Sequence, residues 1–257
     1  VTLSAVHITN NSAAKGGGGA YGIGGSLTLS GSTVAGNTAV GYGGGVWFAQ
    51  GALTISDSVI SGNTGEDGGG IEATFSQGPY TASIYRSTIA GNTANCTYYC
   101  GGGLSVHFGT ANILDSTISG NTANGAGFPY VTGGAYFFGV AATLTNSTIT
   151  GNTATGDDFV AGALSESHPS SAGPGVGVSL VNCTLASNTA TVLVGSVVAG
   201  GVLSGGYSGF GKLTLSNTIL AANSPANTDL ITGGANITVN ATFSLLGMAL
   251  NIDPYNA

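Results

Sequence analysis

The chain has 257 residues, 47 of them Gly, and only 5% are charged, three Lys or Arg against ten Asp or Glu for a net charge of -7. So few cations exclude binding of nucleic acid or an anionic membrane surface through phosphates, because almost no positive charge is available to displace counterions. The most apolar stretch, 192–203, is interrupted by Gly195, Ser196, Gly200 and Gly201 and falls short of the roughly 20 residues a membrane span needs, so no membrane insertion by this segment is expected.

Read in chain order, one phrase recurs: LSGSTVAGNTA at 29–39, ISDSVISGNTG at 55–65, STIAGNTAN at 87–95, STISGNTAN at 116–124 and STITGNTAT at 147–155. Aligned on its Asn, the phrase places Asn11, Asn37, Asn63, Asn92, Asn121, Asn152, Asn188 and Asn223 at intervals of 26, 26, 29, 29, 31, 36 and 35, a pattern of loop insertion into a fixed repeat. Three residues before each Asn stand Ile8, Val34, Ile60, Ile89, Ile118, Ile149, Leu185 and Leu220, and eight before it another unbroken aliphatic column begins at Leu3, Leu29 and Ile55. The flanking positions are mostly Thr, Ser or Asn, which is the period-two alternation of strands around an apolar interior. A third strand follows each Asn after a Gly-rich approach, as in GGGAY at 17–21, GGGVW at 43–47, GGGIE at 68–72, GGGLS at 101–105 and GGAYF at 133–137. These features predict an all-β parallel β-helix, a solenoid of about eight coils with three short strands per coil. It forms one domain over 1–257, with regular coils to 225 and an irregular last turn or C-terminal cap at 226–257.

The Asn column is read as a structural ladder, since an inward carboxamide can satisfy backbone groups that a tight corner leaves unpaired. Ser32, Ser58, Ser87, Ser116 and Ser147, continued by Cys183 and Thr218, predict a second stack of small groups. Cys96 and Cys100, four apart in one insertion, are expected to form a loop disulfide, and Cys183 to be buried and unpaired.

Chemistry-bearing residues are sparse. Asp57, Arg86 and Asp115 occupy equivalent positions on three consecutive coils and predict a charge ladder with a spacing of about 4.8 Å. Glu66-Asp67 and Asp157-Asp158 read as solvated loop charges, and His168 beside Glu166 and Pro169 as a loop histidine. The strongest candidate for a binding face lies on the Gly-rich strands, where Tyr21, Trp47, Glu72, His107, Tyr136 and Phe138 fall on the outward side. A row of exposed aromatic rings can stack on sugar rings or on a partner's apolar surface. The alternative is that the insertions at 76–82 and 125–132 fold over this face and bury it. No spacing calls for a metal or any other cofactor.

These repeats resemble the right-handed parallel β-helix repeats of bacterial surface proteins, the polymorphic outer-membrane proteins and autotransporter-type passengers, whose Gly-Gly-apolar motif and Asn-ended strand match residues 1 to about 225. ATFSLLG at 241–247 and NIDP at 251–254 look like the segment that closes such arrays before a C-terminal anchor. The resemblance implies an extracellular or cell-surface location. The chain begins in mid-pattern at Val1, which reads as a piece of a longer protein. The expected function is a non-enzymatic structural or adhesive rod. Its partners would be itself, stacked end to end or side by side, flanking domains, or surface glycans. The competing reading is a carbohydrate-active enzyme, a polysaccharide lyase or hydrolase, acting near Glu72 and His107 or near Asp57, Arg86 and Asp115. A remoter one is an ice-binding array of outward Thr such as Thr88, Thr117, Thr148 and Thr184.

Overall fold

A computed structural model describes residues 1–75, 80–127, 130–169, 176–195, 197–205, 210–226, 228–233, 236–247 and 249–251. All of its regular structure is β, and every strand pairing is parallel. The strands stack into a β-solenoid of eight turns, one for each ladder Asn, and strands at Asn236–Thr242, Leu245–Leu246 and Ala249–Asn251 carry three of the sheets one layer further. The segment after 225 therefore continues the regular sheets. NIDP lies almost wholly outside the described residues.

Four sheets surround the core. Sheet A opens each coil, as at Ala52–Ser56, and sheet B follows at Val59–Ser61. Sheet C is the short Thr64–Gly65, and sheet D closes the coil at Ile71–Thr74. Sheet C is a strand beyond the three expected, begun by the Ser-Ala, Thr-Ala or Thr-Gly pair directly after each of the first seven ladder Asn. In coils 4 to 7 a fifth strand precedes sheet D, at Tyr99–Gly101, Tyr130–Thr132, Phe159–Ala161 and Val197–Ala199, and these four pair as sheet E. Sheet E accounts for part of the lengthening of the repeat.

Corners fix where strands end. Between sheets A and B the chain takes a positive φ at Gly31, Asp57, Arg86, Asp115, Asn146, Asn182 and Asn217, and between B and C at Gly36, Gly62, Gly91, Gly120 and Gly151. This left-handed region suits Gly, Asn and Asp, which is why those types fill most of the corners, with Ala5, Arg86, Ser187, Ala222 and Phe243 as the exceptions. Inside, Leu29, Ile55, Ile84, Ile113, Leu144, Leu180 and Leu215 from sheet A meet Val34, Ile60, Ile89, Ile118, Ile149, Leu185 and Leu220 from sheet B, all fully buried.

The ladder forms as expected. The backbone N–H and Nδ2 of Asn63 both donate to Asn92 Oδ1, at 3.0 and 2.9 Å, and Nδ2 also donates to the Val34 carbonyl at 2.9 Å. The same pattern links every neighbouring pair from Asn11 to Asn223, where the Asp229 carboxylate takes over as acceptor from Asn223 Nδ2 at 2.7 Å. The Gly-rich approach belongs to the same device. A Cβ on Gly45 would lie 2.9 Å from Asn63 Nδ2, and one on Gly44 2.3 Å from the Thr64 backbone, so only Gly lets the chain pass against the ladder. The Ser column likewise donates coil to coil, for instance Ser58 N to Ser87 Oγ at 3.2 Å.

Candidate functional site

The outward column of sheet D aligns Tyr21, Trp47, Glu72, Ser105, Tyr136, Ser165 and Leu203 in strict register. Two positions along the strand, Thr74, His107 and Phe138 form a second outward column. The six candidate residues thus share one face but not one environment. In coils 4 to 7 sheet E lies over it, and Tyr130, Phe159 and Val197 pack with Tyr136 and Leu203 in a second apolar layer. Tyr136 is completely buried there, its hydroxyl 2.6 Å from Ser167 Oγ, and Thr132 bonds Ser165. Tyr99 stacks against both Tyr136 and Phe138. Ser105 Oγ and His107 Nε2 lie 3.0 Å apart, and burial pushes the His107 imidazole down to about 4, keeping it neutral. For Tyr136 the folded-over alternative is therefore the one realised, while His107 and Phe138 are half-buried at its edge. The cover is sheet E; residues 76–79 and 128–129 of the predicted insertions lie outside the described residues.

Coils 1 to 3 lack sheet E. Tyr21 stands 57% exposed and stacks on Trp47, with centroids 4.8 Å apart, and Tyr42 packs against the same indole at 5.2 Å. Trp47 itself is only 9% exposed and Glu72 only 2%, so neither is the open surface residue that the sequence pattern implied. The two rings and the neighbouring coils close over them. Trp47 Nε1 donates to Glu72 Oε1 at 3.3 Å, and Thr74 Oγ1 donates to the same oxygen at 2.8 Å. Glu72 Oε2 and Asp67 Oδ1 are buried and have no hydrogen-bond partner. Burial, reinforced by the Asp67 charge, pushes Glu72 up to about 8; burial, then the Glu66 charge, pushes Asp67 up to about 6. Asp67 is thus not the solvated loop charge expected of it.

A second correction concerns Glu166 and His168. Glu166 lies in the sheet D strand Leu164–Ser167, in register with core Phe137 and with Ser204, so its side chain points into the solenoid and is 1% exposed. Ser204 Oγ donates to Oε1, and His168 Nε2 lies 3.3 Å from Oε2. The carboxylate stands between the hydroxyl and the imidazole, which is the wrong order for a hydroxyl nucleophile activated by a base. Sequence alternation along Leu164–Ser167 assigns Glu166 inward, a signal that the reading of His168 as a loop histidine passes over.

The charge ladder occupies a different edge, the exposed corner between sheets A and B. Arg86 grips Asp57 through Nε and a terminal nitrogen at 2.7 and 2.8 Å, while Asp115 accepts instead from Asn146 Nδ2 at 3.0 Å. Asn182 and Asn217 extend this outer ladder, which the sequence reading stopped at three residues. These groups do not meet Glu72 or His107. Asp157 Oδ2 accepts from the Gly127 N–H. Cys96 and Cys100 form the expected disulfide, at the start of sheet E, and Cys183 is buried and free. Among the described residues no group of three or more His, Cys, Asp or Glu is placed to hold a metal ion, and no helix is long and apolar enough to cross a membrane. No family model, no curated protein and no solved structure matches this chain.

Proposed function

We propose that this chain is an extracellular structural or adhesive rod of a bacterial surface or matrix protein, working by projecting or assembling. The observation that carries the reading is the unbroken ladder from Asn11 to Asp229, which joins all eight turns through buried carboxamides. A body joined in this way resists local opening, and hydrogen bonds between neutral amides are indifferent to salt. The Cys96–Cys100 disulfide supports an oxidising, exported location. Surface glycans are the favoured adhesive partner, through the exposed ring of Tyr21.

The test combines light scattering after gel filtration, over a concentration series, with electron microscopy of the same fractions. Straight rods, or filaments built from units of about 40 Å at roughly 4.8 Å per coil, support the reading. Flexible or compact particles of no fixed length overturn the rod. Release of reducing ends from bacterial or plant polysaccharides by the same fractions would overturn the non-enzymatic part in favour of a carbohydrate-active enzyme.

A further inference from the structure

The open half of sheet D holds a buried acid pair that the rod reading does not use. Glu72 has one oxygen doubly satisfied by Trp47 and Thr74 and the other unpartnered, and Asp67, five residues earlier on the same coil, has an unpartnered buried oxygen of its own. The groups packed around them come from four coils. Glu66 and Asp67 belong to their own coil, and Tyr42 and Trp47 come from coil 2, where the Tyr42 carbonyl accepts from the Glu66 N–H. Lys15 of coil 1 reaches this region through its carbonyl, which accepts from Gly41 N–H at 2.7 Å, and coil 4 contributes Ser105 and neutral His107. The charges that act on Glu72 are Asp67 first and Glu66 after it, both negative.

A buried carboxyl beside a half-buried one whose Oδ1 is shut off from water resists a second charge, because each charge loses hydration and repels the other. We propose that Asp67 and Glu72 together hold a single proton and form a base-sensitive latch beneath the Trp47 indole. Loss of that proton to solvent leaves two carboxylates in one dry site, and the Trp47–Tyr42 cover lifts to let water reach them. The latch thereby turns a packed aromatic cover into an exposed aromatic surface beside Tyr21. Such a pair titrates as a unit, and the upward displacement of both groups by burial puts the opening step above neutrality.

Trp47 is the sole tryptophan of the chain, so its emission reports on the latch directly. The full chain is titrated between about pH 6 and pH 9, below tyrosine ionisation, with emission maximum and acrylamide quenching as readouts. The expected result is a reversible red shift with more quenching, with a midpoint near the value of about 8 that burial imposes on Glu72. Glu72→Gln keeps an acceptor for Trp47 Nε1 and cannot ionise, so it abolishes the transition. Asp67→Asn removes the neighbouring charge and moves the midpoint down, which decides the matter should the Gln variant fail to fold. A flat wild-type titration, or a transition that survives in Glu72→Gln, overturns the latch. So does a midpoint that falls with millimolar Ca2+ and recovers with chelator, since the oxygens would then be sharing a cation instead of a proton.

Discussion

Coils 1 to 3 and coils 4 to 7 present the same outward column of sheet D in the same register, yet one half is open and the other is sheathed by sheet E. Length explains the difference. From the sheet A aliphatic to the ladder Asn the chain always takes eight residues, Ile55 to Asn63 in coil 3 and Leu180 to Asn188 in coil 7, whereas the stretch after the Asn grows. Insertion is thus confined to the side of the solenoid away from the A–B corner, and the ladder passes through both halves unchanged. The outward chemistry follows the cover. Under sheet E the polar groups pair with one another, as Tyr136 does with Ser167 and Ser105 with His107. In the open half Glu72 is buried by the Trp47 ring and keeps one oxygen unpaired.

The largest effect should come from breaking what the halves share. Asn121→Ala deprives Asn92 of its acceptor and leaves the Ile89 carbonyl and Asn152 Oδ1 short of a donor, all in the interior. The expected loss exceeds about 3 kcal/mol, since each buried group left unpaired costs about 1–3 kcal/mol. Asn11→Ala, at the exposed first coil, should cost under about 1 kcal/mol by the same reasoning. Urea unfolding of both variants measures the contrast. Equal losses would mean that the ladder contributes no more inside than at its end.

The halves should also respond to pH in opposite directions. Glu72, in the open half, has its folded value raised from 4.5 to about 8, so the unfolded chain ionises first. Its contribution is fully present below 4.5 and is lost as pH rises to about 8. Asp67 follows the same direction between 3.8 and about 6. His107, in the sheathed half, is lowered from 6.5 to about 4, so the unfolded chain takes up a proton first and stability is lost as pH falls through that window. Between 6.5 and about 8 Glu72 alone changes among these three. There the wild-type Tm should fall while that of Glu72→Gln stays level, with a gap on the order of a few kcal/mol at the alkaline end, given about 1.4 kcal/mol per tenfold change in proton affinity. Thermal melts across pH 4.5 to about 8 decide it; parallel curves for the two proteins would show that Glu72 is not buried in its charged-averse state.

The ladder, the aliphatic columns and the disulfide were legible in the sequence because each recurs or pairs at a fixed spacing, and spacing is what a solenoid turns into contact. Sheet C was hidden in the two residues after each Asn, too short to show alternation. Sheet E was hidden because Cys100-Gly101, Val131-Thr132 and Val160-Ala161 share a place in the coil without sharing a motif. That gap carried over to the candidate face, where outward position left exposure and burial under the insertions both open. Trp47 and Tyr136 do point outward; chain inserted elsewhere in the repeat buries Tyr136, while the Tyr21 and Tyr42 rings and the neighbouring coils bury Trp47. Glu166 failed in the reverse sense, its register pointing inward while it was read only as the neighbour of a loop histidine. Asp229 closes the ladder six residues after Asn223, out of phase with the repeat, and no periodic signal could have found it.

The disulfide sharpens the boundary between the halves, because it sits where sheet E begins. Replacing Cys96 and Cys100 by Ser should cost about 2 kcal/mol from the loop-closure entropy of so short a ring. The loss should be local. Proteolysis between 96 and 100 should accelerate in the variant, read by mass spectrometry of the fragments, while the Trp47 emission of coil 2 stays unchanged. A shift in that emission would mean that the cover and the open half are one cooperative unit.

The smallest effect belongs to the A–B corner, which neither half covers. Its positive-φ positions are Gly, Asp or Asn except at Ala5, Phe243 and Arg86, and at Arg86, with φ 44°, a long charged side chain is held in the left-handed region. What Arg86 gains there is a bidentate grip on Asp57, and both side chains are about half exposed, so salt screens the pair. Asn at this position would suit the backbone better and offer the amide that Asn146 already offers to Asp115. Arg86→Asn should therefore leave the Tm level at low salt and raise it slightly at high salt, where the ion pair contributes least. A lower Tm at both salt concentrations would mean that the charge pair, more than corner geometry, holds this edge together.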